Sequence, residues 1–527
     1  MICKYYQELD MASDNDSGLI DKNPDKFFYR SVIFKAFKIR TFNEIEIKLD
    51  LFDYKATISD NNIIITNDIF ELAKVHGYTK FNTRQDSLLK QLYLENKENT
   101  VSLIEFYDMY WEYLHPKSPL YDVKNSPMKR IRLRIPSFNE FNKFDSNSVF
   151  REEVSLLYQT FMENYNQELT NIEILEGVTV FDILKFQRAF FKVSRIYLKS
   201  LIDYGYDKDD LFEISLQSIL PSFTLNDLIT NASYFSGLNT EICEKIINHI
   251  TVDMKGEDEF IDIQYSPIIK LDKYYLVLPT VLSSSNLIRS IAFRNNVHLS
   301  IFNNTDFMIN NLENAFKAQD FKVKKDFEFG KDQIEIDLVL YKDKELFLFE
   351  CKNPYHPVSD FELRNTYDHI NKAFLQVEKF KSIIADNNSF KNFIHELNKF
   401  GFNIDLNNVN VNYGIINANR ALKGFTKNNI RVYHANELIN FVNEGKFICY
   451  NVEYSSWEKD EFDVKDLLNY LDGKVCNDLW ESFKPYHYSL TYREKSIELH
   501  SFNLEYEFFK QNIISKYKVT CENILKK

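Results

Sequence analysis

The spacing of hydrophobic and polar positions changes character several times along the chain, and each change marks a group of elements. Over residues 1–148, short runs such as FNEIEIKLDLF and NNIIITNDIF predict strands, while LLKQLYLEN and SLIEFYDMYWEYL have the three- and four-residue spacing of helices. Residues 149–260 become mainly helical in REEVSLLYQTFMENY, TVFDILKFQRAFFKVSRIYLKSLIDYG and TEICEKIINHI. Strands return with IDIQYSPIIKLDKYYLVLPTVL and run through residues 261–447. The remainder, 448–527, reads as helical again, with VKDLLNYL and LEYEFFKQNIISKY. The expectation is an α/β protein of four regions: a mixed module, a helical module, a third domain built on a sheet, and a helical C-terminal region.

The third region has the most definite pattern. DFMINNLENAFKAQDF places Met308, Leu312, Ala315 and Phe316 on one helical stripe, with Glu313 at its edge. KVKKDFEF and QIEIDLVLY follow as strands, YKDKE as a short polar turn, and ELFLFEC as a third strand. Asp360 is positioned to cap a long helix whose ridge runs Leu363, Tyr367, Ile370, Phe374, Val377 and Ile384. VNVNYGIINAN is then a further strand. On the second strand, alternation puts Ile334, Ile336, Leu338 and Leu340 on one face and Glu335 with Asp337 on the other. On the third, Leu346, Leu348, Glu350 and Lys352 share a face opposite Phe347, Phe349 and Cys351.

Composition limits the classes that remain. The 527 residues exceed one ordinary core, the apolar share is 44%, and only 12 Gly and 11 Pro are present, which argues against long disordered linkers. The first residues have no basic start followed by an apolar run, and no apolar window approaches the ~18 residues needed to span a bilayer, so a cytoplasmic protein without a membrane partner is expected. The six cysteines form no CxxC pair, which fits reduced thiols, excludes a zinc ribbon, and leads us to expect oxygen ligands for any metal. His356, in NPYHP, has no second histidine at ligand spacing and reads as a loop residue. The formal charge of −13 has the wrong sign for a protein that coats nucleic acid along its whole surface. The densest basic segment is KNSPMKRIRLRIPS, with Lys129, Arg130, Arg132 and Arg134. As a strand it places the three arginines on one face, either as phosphate contacts or as a solvated surface.

Charged residues at the end of a strand as apolar as ELFLFECK are costly to bury unless they are paired or hold a metal. Asp337, Glu350 and the Cys351 backbone carbonyl are hard oxygen donors suited to Mg²⁺, with Mn²⁺ as its substitute. A cation there polarises a phosphate and acidifies water, and Lys352 can orient that water or neutralise charge on the phosphate. The plain alternative is a salt-bridged strand pair at a sheet edge.

Asp337 followed by Glu350-Cys351-Lys352, between a helix bearing Glu313 and a second helix, resembles the PD-(D/E)xK nuclease superfamily. EIDLVLYKDKELFLFECKN is similar to its NERD-like and Mrr-like branches. The resemblance covers about 115 of the 527 residues. It implies a restriction-endonuclease-like core with a mixed central sheet flanked by helices, in which Asp337 and Glu350 bind metal and Lys352 is the catalytic lysine. Glu313 is implied as a further metal ligand from the first helix, directly or through water, with an ordinary helix-surface acid as the alternative; Glu335, by its own position, reads as a solvated or supporting carboxylate. Gln376 with Phe380 resembles the Q-x-x-x-Y motif of RecB-like members, with Phe in place of Tyr, and so joins the catalytic set, with an ordinary exposed helical glutamine as the alternative. The implied activity is a DNA endonuclease of bacterial restriction or phage-defence type, with RNA a less favoured substrate and a homo-oligomer or partner subunit allowed. The competing reading is a non-catalytic interaction protein that keeps a nuclease-like fold.

Overall fold

The computed structural model describes residues 26–59, 62–79, 101–126, 128–135, 150–153, 156–157, 160, 169–218, 220–254, 263, 265–302, 305–330, 334–492 and 495–522. They fall into two compact units, one from Gln91–Thr160 and Gln167–Leu299, the other from Phe27–Lys90 and Ser300–Lys527. This division is coarser than the expected one at 148, 260 and 447. Both units mix helices and sheets, so the α/β class holds. No helix among the described residues is long and apolar enough to cross a membrane.

In the first unit, helices Leu103–Leu114 and Val180–Tyr204 enclose a core containing Tyr107, Tyr110, Phe150 and Ile196. The longer helix starts in a reciprocal cap, with Thr179 and Asp182 bonding each other's backbone N–H. Strands Tyr121–Lys124 and Arg130–Leu133 pair antiparallel, and a separate four-stranded sheet is built from short strands within Ser222–Val277. The predicted helix LLKQLYLEN lies outside the described residues.

The second unit contains, in order, α1 (Lys26–Leu51), β1 (Lys55–Ser59), β2 (Asn62–Thr66), α2 (Asp68–Tyr78), α3 (Phe307–Ala318), β3 (Lys322–Phe329), β4 (Ile334–Lys342), β5 (Glu345–Lys352), α4 (Asp360–Ala385), α5 (Asn387–Lys399), β6 (Asn410–Asn417), β7 (Thr426–Lys427), β8 (Ile430–His434), α6 (Ala435–Asn443), β9 (Lys446–Cys449), β10 (Val452–Ser455), α7 (Val464–Leu471), β11 (Phe483–Tyr492), β12 (Lys495–Leu504), α8 (Tyr506–Lys516) and β13 (Lys518–Cys521). A six-stranded sheet in the order β3-β4-β5-β6-β8-β7 forms its centre. β3, β4 and β5 are antiparallel neighbours, while β5-β6 and β6-β8 are parallel. Asp343 and Lys344 close the β4-β5 hairpin with φ of 50° and 71°, the two positive values of a type I′ turn.

Helices cover both faces of this sheet. Met308, Leu312 and Phe316 of α3 pack with α6 and α7 against Leu338, Leu340, Phe347 and Phe349. On the other face Leu363, Tyr367, Ile370, Phe374 and Val377 of α4, with α5, pack against Val339, Leu346 and Leu348. Burial on both faces is why Leu346, Phe347, Leu348 and Phe349 are continuously apolar. The second face also takes in Phe52, Ile65, Phe70 and Leu499, so the N-terminal elements and a four-stranded sheet, β1-β2-β12-β11, complete this core.

Several expectations need correction. FNEIEIKLDLF is the end of helix α1, where Ile45, Lys48 and Phe52 bury at three- and four-residue spacing. The C-terminal region is not mainly helical: α7 and α8 are present, but β9 to β13 supply most of its regular structure. Ser359, not Asp360, caps α4 by accepting from the Glu362 N–H, which frees Asp360 to pair with Lys74 at 3.0 Å. Ile334 and Ile336 do not share a face with Leu338 and Leu340, because the alternation of β4 slips beside Asp337.

Candidate active site

The slip in β4 has a counterpart in β3, where Asp326 has φ 47° in mid-strand. Lys325 pairs with Leu338 and Phe327 with Ile336, so Asp326 and Asp337 stand opposite each other where both strands change the face they bury. The regular β4-β5 pairing ends at Leu338 and Phe349. Beyond it, the Asp337 carboxylate accepts a hydrogen bond from the Cys351 backbone N–H at 2.7 Å. The N–H and C=O of one strand residue point to the same edge, so the Cys351 carbonyl faces this gap as well.

On the adjoining face Glu350 is fully buried. One of its oxygens pairs with Lys352, whose amine is 4.0 Å from Asp337 Oδ2. Its other oxygen, Oε2, is buried without a hydrogen-bond donor. Both carboxyls adjoin the Lys352 amine and so face the same small space. Burial first, and then the Asp337 charge, pushes the Glu350 carboxyl up to about 8. Burial raises Asp337 too, against the lowering effect of the Cys351 N–H and Lys352. Two carboxyls facing each other in a poorly solvated place resist holding two negative charges, and a divalent cation between them relieves that conflict.

Around this pair the structure gathers Glu335, read from the sequence as a supporting carboxylate, together with residues that sequence reading passed over. Carboxylate oxygens of Asp326, Glu335 and Asp337 lie within 4.8 Å of one another. Glu328 pairs directly across from Glu335, a like-charge arrangement that disfavours the strand pair unless a cation is near. Burial and the charges of Asp337, Asp326 and Glu328 raise the Glu335 carboxyl. Asn417, buried at the end of β6, pairs in register with Lys352 and leaves its Oδ1 without a donor. On α4, His369 is held below its ordinary value by burial, Lys372 and then Lys352, so its ring senses the site lysine. Of those passed over, Asp326 and Glu328 were visible as acids in the strand KVKKDFEF, while Asn417 and His369 depend on how the elements pack.

The remaining predicted residues sit elsewhere. Glu313 pairs with Lys317 at 2.6 Å and Lys325 at 2.7 Å, and is not among the carboxylates gathered around Asp337. Gln376 is half-buried on α4, on the stripe of His369 and Lys372 and two turns beyond His369, and no hydrogen bond ties it to Asp337, Glu350 or Lys352 among the described residues. The basic strand belongs to the first unit and comes with its own carboxylates. Asp122 pairs with Arg132 at 3.1 Å and Arg134 at 2.9 Å, Lys129 pairs with Asp210, and Arg130 donates to the carbonyls of Ser126 and Met128. Asn353 links the end of β5 to α3, donating at 3.0 Å to Asp306, whose other oxygen caps that helix. The five described cysteines, Cys243, Cys351, Cys449, Cys476 and Cys521, are free thiols; Cys3 lies outside the described residues.

Compared with protein-family models, with curated proteins and with solved structures, the chain matches none.

Proposed function

We propose that the second unit is a metal-dependent phosphodiesterase, a nuclease acting on DNA in preference to RNA, with Asp337, Glu350 and Lys352 at its centre. The observation that carries this reading is the buried Glu350 carboxyl, with one oxygen lacking a donor, held against Asp337 and beside the Lys352 amine. A purely structural ion pair has no need of a second carboxylate at that position.

Asp337, Glu350 Oε2 and the Cys351 carbonyl would supply oxygen donors of the kind Mg²⁺ or Mn²⁺ takes, and Asp326 and Glu335, whose carboxylates lie within 4.8 Å of that of Asp337, would accept hydrogen bonds from metal-bound water. A bound cation supplies phosphate polarisation and a more acidic water. Lys352 contributes a positive charge that steadies the attacking water or the charge building on the phosphate. Asn417, in register with Lys352 on the neighbouring strand and with its Oδ1 lacking a donor, is a further polar group beside that amine. The sheet order, the helices on both faces and the hairpin joining the two acids support the restriction-endonuclease-like reading of this core. The choice of DNA, and a role in restriction or phage defence, rest on the PD-(D/E)xK resemblance.

Cleavage of supercoiled plasmid, single-stranded DNA and RNA in Mg²⁺ tests the proposal. Lys352→Ala and Asp337→Ala are each expected to lower cleavage by about 10²–10⁴-fold. Equal cleavage by wild type and both variants overturns it. Calorimetry that finds no Mg²⁺ or Mn²⁺ uptake dependent on Asp337 and Glu350 favours instead the non-catalytic interaction protein, a reading supported by the paired arginines of the first unit and the charge of −13.

A further inference from the structure

A second group of metal-ligating side chains lies in the second unit, on the sheet β1-β2-β12-β11. In the β11-β12 hairpin His487 pairs directly with His500, and Ser489 with Glu498. Alternation therefore puts His487, Glu498 and His500 on one face, while Leu499 points into the core and Ser501 to Glu71. The two imidazole rings meet with centroids 4.0 Å apart at 86°. His487 Nδ1 is 3.3 Å from Glu498 Oε1, His500 Nε2 is 3.8 Å from the same oxygen, and all three ligand atoms lie within 4.8 Å of one another.

We propose that His487, Glu498 and His500 bind a borderline divalent transition metal of the zinc class. Tetrahedral zinc with bonds of about 2.0–2.1 Å places its ligand atoms about 3.3 Å apart, and the two nitrogen-to-oxygen separations already approach that edge. A fourth residue fixes the tautomer. Asp68, the first residue of α2, faces His500 Nδ1 at 3.2 Å, and a carboxylate there holds the proton on Nδ1 and leaves Nε2 free as a ligand. That is the usual outer partner of a metal-bound histidine, supplied here from more than 400 residues away in sequence. His487 is half-exposed, so the fourth coordination position is open to water. Nitrogen ligands set this site apart from the oxygen-only set at Asp337 and from the expectation of oxygen ligands alone, and Mg²⁺ is a poor fit for it. The metal would clip the hairpin to the start of α2, joining the two ends of the unit's core.

The test is a zinc titration of the metal-stripped full chain against a chromophoric chelator, with Co²⁺ absorption as a direct reading of coordination. The wild type is expected to take up one zinc equivalent more than His487→Ala or His500→Gln, and to give a tetrahedral Co²⁺ band that both variants lack. Asp68→Asn is expected to weaken binding by about 10–100-fold. Asp337→Asn is expected to leave the tetrahedral Co²⁺ band unchanged, which keeps this site distinct from the nuclease reading. Equal zinc uptake by the wild type and both histidine variants overturns the proposal, as does the lack of any Co²⁺ band in the wild type, a result that does not depend on how the variants fold.

Discussion

Glu350 shows how one side chain couples the chemistry of the site to the stability of the fold. It is fully buried, and burial with the neighbouring Asp337 charge pushes its carboxyl up to about 8. A raised folded-state value means that the native protein holds a proton the unfolded chain has lost, so this contribution to stability is complete below about pH 4.5 and disappears as pH rises through about 8. Thermal melts between pH 5 and 8 are therefore expected to show Tm falling with pH in the wild type and a flatter profile in Glu350→Gln, which keeps the shape and cannot ionise. Parallel profiles would show that Glu350 is ionised throughout. Adding Mg²⁺ at pH 8 is expected to raise Tm in the wild type and not in the variant, because ligand binding to the native state alone stabilises it.

At the scale of elements, the site depends on how closely β5, β6 and β8 approach one another. Gly414 lies at the middle of this contact, and a Cβ there would come within 2.6 Å of the Tyr433 ring and 2.9 Å of Phe349. Gly414→Ala is expected to cost about 1–3 kcal/mol by overpacking, read as a lower denaturation midpoint with an unchanged slope. A midpoint unchanged from wild type would mean that the rings move aside freely. The elements of this core were largely legible in the sequence, because a stripe such as Met308, Leu312, Ala315 and Phe316 belongs to one helix and needs no partner to be recognised. Faces were harder. The exchange of faces at Asp326 and Asp337 arises from a positive φ in mid-strand, and alternation alone carries Ile334 and Ile336 to the wrong side. FNEIEIKLDLF satisfied both periods, and its core contacts decided for the helix.

At the scale of the molecule, the second unit is assembled from both ends of the chain. Phe52, Ile65 and Phe70 share a core with α4 and with Leu499, and Phe70 stacks edge-on against Tyr367 with centroids 5.2 Å apart. A chain beginning at Ser300 removes these residues and uncovers Tyr367 and Phe425. It is expected to show weakened near-UV circular dichroism and to bind a hydrophobic dye, where the full chain does neither; a sharp cooperative melt of the shortened chain would show that residues 300–527 form a domain alone.

The sequence by itself determined the α/β class and the order helix, three strands, helix around Gln333–Asn353, while the second helix, Asn387–Lys399, before the next strand was not foreseen; it also singled out Asp337, Glu350 and Lys352 as candidates, from a local period and the cost of burying charge. Only the tertiary structure decided the rest. Asp326 and Asn417 reach the site through strand pairing, Glu313 and the arginines are claimed by partners on neighbouring segments, and His487, His500 and Asp68 meet because β12 lies beside β2. Strand pairing and ion pairing join residues distant along the chain, and no local pattern records which distant segment will be the partner.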